Sequence, residues 1–246
     1  MTVTVGKRIM GGVGRVLCAV SLLCVIAPAK AGSLTVSPIT LSVPAPGGTT
    51  TLSVSGGGEG STAGQVRVMR WLQTDGAERL VPTRDVVASP PALKLEPGRD
   101  LTVRLVRTAQ RPVIGEECYR VLVDQLPGAE QDQIAVKFAI RHSIPLCFDA
   151  DRQKQGTVTW NLRREGNALV LRARNNGERR AVAKDVVITA PNGTTVRLGS
   201  AVVLGGSTMS RLLLGKLKGF APGASFSLKA NIGGKDIIFT GKIIGG

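Results

Sequence analysis

From Leu34 onwards the sequence is a series of short runs in which apolar and polar residues alternate, and each run ends at a glycine, a proline or an asparagine–glycine pair. Gln65 to Trp71 has a clean period of two, with Val66 and Val68 on one side, and Leu101 to Arg107 alternates strictly. No stretch carries the period of an amphipathic helix. Turn signals recur about every 8–12 residues, which is the spacing of an all-β sandwich of about seven strands. Asp75-Gly76, Pro97-Gly98, Asn176-Gly177, Asn192-Gly193 and Gly233-Gly234 are turn pairs, and Ser89-Pro90-Pro91 is incompatible with a central strand. After Phe148-Asp149-Ala150-Asp151-Arg152 the composition shifts and the strand pattern begins again. The chain is long for one sandwich and comfortable for two. The expected division is 1–31, 32–148 and 149–246.

The first of these segments reads as an export signal. Lys7 and Arg8 precede an apolar stretch from Val13 to Ile26, and Ala29-Lys30-Ala31 is a small-x-small cleavage site. Cleavage is expected after Ala31, with no membrane anchor retained, since the stretch is short for a span. Leu23 before Cys24 excludes a lipoprotein signal, which needs a small residue there. Only Cys118 and Cys147 then remain, an even count in an oxidising compartment. One disulfide is the expectation, and two free buried thiols the alternative. Two cysteines and one histidine are too few for a structural zinc site, and no other metal or cofactor is called for.

Charge is lopsided. Residues 32–150 hold 12 basic and 12 acidic side chains, whereas residues 151–246 hold 16 basic and 5 acidic. A basic half suits nucleic acid, an anionic membrane surface or an acidic protein. Export argues against nucleic acid, and only 3% aromatic residues leaves no stacking platform for single strands. Catalysis finds little support. His142 is the only histidine and sits in a strand-like run, where it reads as a half-buried strand residue. Glu116 and Glu117 are neighbours, so on a strand they point to opposite faces and do not cooperate. There is no Gly-x-Ser-x-Gly elbow and no phosphate-binding glycine motif. The chain is therefore read as a non-enzyme with no catalytic residues.

Ile134 to Leu146 is the longest candidate strand. Ile134, Val136, Phe138, Ile140, His142 and Ile144 share one face. A run of this length exceeds the usual strand of about 5–6 residues. It reads either as a plain core strand or as an edge that extends past its own sheet. An exposed edge is an aggregation hazard unless it serves strand addition, in which main-chain hydrogen bonds give affinity and alternate side chains fill a partner's pockets. Such an edge would also allow self-association.

The segments Gln65-Val66-Arg67-Val68-Met69-Arg70-Trp71, Ser89-Pro90-Pro91, Leu95-Glu96-Pro97-Gly98, Val103-Arg104-Leu105, Tyr119 to Pro127 and Arg141 to Leu146 occur in the order seen in periplasmic pilus-assembly chaperones of the chaperone–usher pathway. The chain resembles that PapD-like family over about residues 33–150, and most of all its archaic branch, which serves spore-coat-protein-U-like pilins. The resemblance implies two immunoglobulin-like β-sandwich domains at an angle, a boomerang. It implies a periplasmic protein that binds pilus subunits by lending them a strand, prevents their aggregation and delivers them to an outer-membrane usher. The donor side chains would be Ile134, Val136, Phe138 and Ile140. Competing readings are an exported structural or adhesive β-sandwich protein, such as a surface subunit, and an exported hydrolase.

Family members also anchor the subunit's C-terminal carboxylate with basic residues in the cleft, because a buried carboxylate must be paired. This sequence departs from the better-known branch. Pro145 stands where that branch has a lysine, and Leu34 to Val43 contains no basic residue. The archaic branch implies Arg120 as the anchor, with Arg141 second and Arg104 third. Cys118 opens the strand that carries Arg120, and Cys147 ends the donor strand. A hairpin near Gly128 would bring the two together, and the bridge would stabilise the fold by about 3–4 kcal/mol in the chain-entropy model.

Overall fold

The computed structural model describes residues 34–57, 60–126, 139–150, 157–215 and 217–245. Every regular element among them is a strand. No helix among them is long and apolar enough to cross a membrane.

The first ten strands are β1 (Leu34–Ser37), β2 (Leu41–Pro44), β3 (Thr49–Gly56), β4 (Thr62–Thr74), β5 (Ala77–Pro82), β6 (Val86–Ser89), β7 (Ala92–Leu95), β8 (Asp100–Arg107), β9 (Glu116–Gln125) and β10 (Arg141–Asp149). One sheet has the order β1-β3-β8-β6. The other has the order β2-β10-β9-β4-β5, with β7 also pairing with β4. The count exceeds the expected seven because short strands flank the main ones and because the first strand is broken. β1 pairs with β3 in one sheet, whereas β2 pairs in parallel with β10 in the other. Between them Ser37, Pro38, Ile39 and Thr40 form the corner where the chain changes sheets, and Ile39 is exposed there.

The alternation in the sequence becomes the core. Leu52, Val54, Val103 and Leu105 come from the first sheet. They face Tyr119, Val121, Val123, Ile144, Leu146 and Phe148 from the second. Tyr119 and Phe148 meet edge to face, 6.0 Å between ring centroids. Asp75 and Gly76 both take positive φ in the two-residue turn that joins β4 to β5, the conformation a tight hairpin requires.

The other eight strands are β11 (Val158–Glu165), β12 (Ala168–Asn175), β13 (Ala181–Thr189), β14 (Thr195–Val203), β15 (Thr208–Leu213), β16 (Ser225–Ile232), β17 (Lys235–Lys242) and β18 (Ile244–Gly245). They form sheets of order β15-β12-β11-β18 and β14-β13-β16-β17. Trp160, Leu162, Leu171, Ile188, Phe220 and Leu228 are buried between these sheets. The molecule is thus all-β, with two sandwiches in succession.

Candidate functional site

Two features of the first sandwich bear on function: the outer edge of β10 and the surface that the two sandwiches share.

β10 is covered only in part. On one side it pairs with β9 along its whole length, from Arg141 opposite Asp124 to Asp149 opposite Glu116. On the other, β2 pairs with Leu146 to Asp149 and goes no further. Among the described residues no strand pairs with the outer edge from Arg141 to Pro145. The hydrogen-bond direction along β10 is fixed at its two ends. The Ile140 carbonyl accepts from the Gln125 N–H, towards β9, and the Asp149 carbonyl accepts from the Ala45 N–H, on the side of β2. Since direction alternates along a strand, Arg141, Ser143 and Pro145 aim their main-chain groups at the open edge. Pro145 therefore lacks its N–H on the side where no ladder to β9 is lost, the position in which a strand tolerates proline.

The expected strand from Ile134 is corrected in its described part. β10 begins at Arg141, and Ala139 and Ile140 precede it as irregular backbone. Among the described residues before β10, a bond from the Gln125 N–H to the Ile140 carbonyl continues the pairing. Ile140 is half-buried. Ile134, Val136 and Phe138 lie outside the described residues. His142 is half-buried, and its Nε2 lies 2.7 Å from the Leu34 carbonyl, so the ring is engaged by the backbone of β1.

Cys118 and Cys147 stand opposite each other in the β9–β10 ladder and form a disulfide, with Cα atoms 4.2 Å apart. The bridge ties β10 to β9 at the end that β2 covers. Glu116 lies near both sulfurs. The disulfide occupies the thiolates that a metal would need.

Arg120 follows two residues later on the same outward face. Its guanidinium stacks on Trp71 at 3.8 Å from the ring centroid. Its Nη2 donates to Glu78 on β5 at 3.2 Å. The side chain lines a cavity of about 300 Å3 between the sandwiches, with Trp71, Gln73 and Glu78 on one wall and Met209, Ser210 and Arg211 on the other. The hairpin β4–β5 closes one end, where the Ser210 N–H donates to the Gly76 carbonyl at 2.8 Å. A Cβ on Gly76 would meet the Ser210 Oγ at 2.3 Å, so glycine is required there for contact as well as for conformation.

The structure does not bring the other two basic candidates to this place. Arg141 stands opposite Asp124, four residues along β9 from Arg120 or about 13 Å. It is largely exposed and bonds to Asp124, which Arg67 also holds at 2.7 Å. Burial pushes the Asp124 carboxyl up, but the bonds from Arg141 and Arg67 outweigh it and hold the group low. Arg104 lies on β8 in the opposite sheet, exposed between the core residues Val103 and Leu105.

Glu116 and Glu117 diverge, as neighbours on a strand must. Glu117 turns into a cluster with Arg107 and Tyr119, at 3.1 Å from each. Burial raises its carboxyl, but the Arg107 bond and the charges of Arg107, Arg111 and Arg70 bring it below the usual value. Glu116 turns to the second sandwich. Its carboxylate meets the Arg180 guanidinium and accepts from the Arg180 N–H at 2.6 Å. Opposite it, buried Asp149 accepts from Ser42 at 2.7 Å and from Arg179 at 3.0 Å. Burial pushes the Glu116 carboxyl up to about 7, against the pull of Arg180 and with a further upward push from Asp149.

Nothing in the strand pattern of the sequence announces this junction. Gln73 Nε2 donates to the Val202 carbonyl at 2.8 Å, and its Oε1 accepts from the Leu204 N–H at 2.9 Å. Trp71, the disulfide and Leu204 form a small apolar cluster beneath. The available signal was the Arg179-Arg180 pair just beyond the Asn176-Gly177 turn. Asn175 braces that turn, its buried amide donating to the carbonyls of Arg179 and Val203.

These features define a two-sandwich binding protein with one sheet edge left open beside an arginine-lined cleft. Residues 33–152 match the family described as pili and flagellar-assembly chaperone, PapD N-terminal domain. Those residues form the N-terminal domain of a pilus-assembly chaperone. Comparison with curated protein sequences finds no match. Among solved structures, the chain is similar to one in the CsuC–CsuE chaperone–tip adhesion subunit pre-assembly complex from the archaic chaperone–usher Csu pili of Acinetobacter baumannii. That match has 20% identity and a TM-score of 0.66, covering 87% of this chain and 99% of that one. A Salmonella enterica structure of the SafA pilin with the SafB chaperone matches at 19% identity and TM-score 0.58, covering 87% and 97%. The Escherichia coli chaperone DraB matches at 18% identity and TM-score 0.58, covering 87% and 98%. The likeness in fold spans both sandwiches, whereas the family match covers the first.

Proposed function

We propose that this protein works in the periplasm, holding pilus subunits by donor-strand complementation and passing them to an outer-membrane usher. It makes and breaks no bond; its work is binding. The observation that carries the reading is the place where β2 stops. The open edge of β10 starts at Pro145, and Pro145 stands opposite Arg120 in the ladder. A strand added to that edge therefore starts level with Arg120, whose guanidinium faces the cleft between Trp71 and Ser210. Main-chain bonds to Arg141, Ser143 and Pro145 supply affinity without regard to sequence. Arg120 supplies a charged bond to the subunit's terminal carboxylate, which fixes where the added strand starts. Ile134, Val136, Phe138 and Ile140 are proposed as the donor side chains on the strength of their alternation. The proposed division of the chain keeps residues 32–148 for subunit binding and gives 149–246 the other wall of the cleft. Arg104 and Arg141 take no part in the anchor on this reading.

The test is co-expression with a cognate pilin in the periplasm. Arg120→Ala should reduce recovered chaperone–subunit complex by tenfold or more, while the melting temperature of the free protein stays near that of wild type. Undiminished recovery of complex would remove Arg120 from the anchor.

A further inference from the structure

Arg120 is not idle in the free protein. It already holds a carboxylate, that of Glu78, and the manner of the pairing is informative. Contact is through Nη2 alone at 3.2 Å, rather than the two parallel bonds an arginine makes with a well-placed carboxylate. Glu78 is 47% exposed and sits on β5, the edge strand of its sheet, so it can turn to solvent. Arg120 is more enclosed and is held independently by its stack on Trp71. Its position therefore does not depend on Glu78.

The cavity beside the pair has donors to spare. Arg120 Nε, Trp71 Nε1 and Ser210 Oγ are buried and have no hydrogen-bond partner among the described residues. All three residues line the same cavity, and Arg211 adds a second guanidinium to its wall. Buried polar atoms are ordinarily satisfied, and several orphans around one space point to a missing acceptor. Glu78 reaches only the rim. A carboxylate reaching the cavity could take the Nε bond that Glu78 leaves unmade, with the Ser210 hydroxyl within the same wall. Two carboxylates on one guanidinium would repel, and the solvated one is the cheaper to move.

We infer that Glu78 is a resident counter-ion which the subunit's terminal carboxylate must displace from Arg120, so that Glu78 sets the affinity threshold of the cleft. This rests on the reading of Arg120 as the anchor. In the free protein Glu78 offsets the charge of Arg120. On binding it makes affinity the difference between two carboxylates, so the cleft discriminates against weakly placed anions.

The experiment measures fluorescence anisotropy of a fluorescein-labelled, alternating valine–threonine peptide with a free terminal carboxylate, and of the same peptide as its terminal amide. Wild type should bind the carboxylate form more tightly. Glu78→Gln should tighten that form by about fivefold, the upper range for release of an exposed ion pair, and leave the amide form unchanged. Glu78→Gln binding the carboxylate peptide no more tightly than wild type, or more weakly, overturns the inference and makes Glu78 a support for Arg120. If wild type binds both peptides alike, or neither, the anchor reading fails, and the inference with it. Thermal melts of the variant exclude misfolding as the cause.

Discussion

Among the described carboxyl groups with a shifted value, that of Glu116 alone is raised by its surroundings. Burial raises it to about 7 from an ordinary 4.5, with Arg180 opposing and Asp149 reinforcing. A carboxyl whose folded value is raised binds its proton more firmly folded than unfolded. Between about pH 5 and 7 the folded state thus carries more protons, and stability falls as pH rises through that window. Glu117 and Asp124 are shifted the other way. Their stabilisation is complete above the unfolded value and is lost only as pH falls below it, so it does not oppose this slope. Melting temperature should therefore decline from pH 5 to 7 in wild type. In Glu116→Gln, which keeps an acceptor for Arg180 but cannot titrate, the decline should flatten. An unchanged slope would assign the titration to another group.

At the scale of the strand, the informative element is β10, and the sequence disclosed only part of it. Alternation places Ile144 on one face with His142, and Ile144 is buried, as are Leu146 and Phe148 further along the strand. It said nothing about which edge is covered, because side-chain patterning reports faces and not neighbours in the ladder. The shortness of β2 supplies that, and β2 lies about a hundred residues away in sequence. Arg120 became a candidate through the family resemblance. Its nearness to Trp71 and Ser210 required the structure. Arg141 and Arg104 were equally good strand arginines by pattern, and only their positions in the sheets separate them from Arg120.

The edge itself can be tested through the direction of its main-chain groups. Ser143 is exposed, and its N–H points away from β9. Ser143→Pro removes that one donor and leaves the β9 ladder intact, as Pro145 already does two residues on. Fold stability should change little, while recovery of a co-expressed pilin should drop by about tenfold. Loss of stability comparable to the loss of binding would mean that the N–H serves the protein's own sheet.

Over the whole molecule, the question is what makes two sandwiches act as one body. The bonds between them join residues far apart in sequence: Gln73 with Val202 and Leu204, Glu116 with Arg180, and Asp149 with Arg179. No local period announces such contacts, and the Arg179-Arg180 pair looked like part of a generally basic second half. Two of that half's cations are in fact committed to buried acids of the first. Asp149 is the more telling of the acids, because it is only 1% exposed. Arg179→Ala leaves it with Ser42 but without a counter-charge. Breaking a buried pair from one side costs about 3–5 kcal/mol in comparable cases. The cost should fall on the junction, since neither hydrophobic core includes these residues. Calorimetry should accordingly change from one unfolding transition in wild type to two in Arg179→Ala. Subunit recovery should fall as well, because Ser210 and Arg211 would no longer be held opposite Arg120. A single transition at the wild-type temperature would show instead that the apolar contact of Trp71 with Leu204 couples the sandwiches without help from the ion pairs.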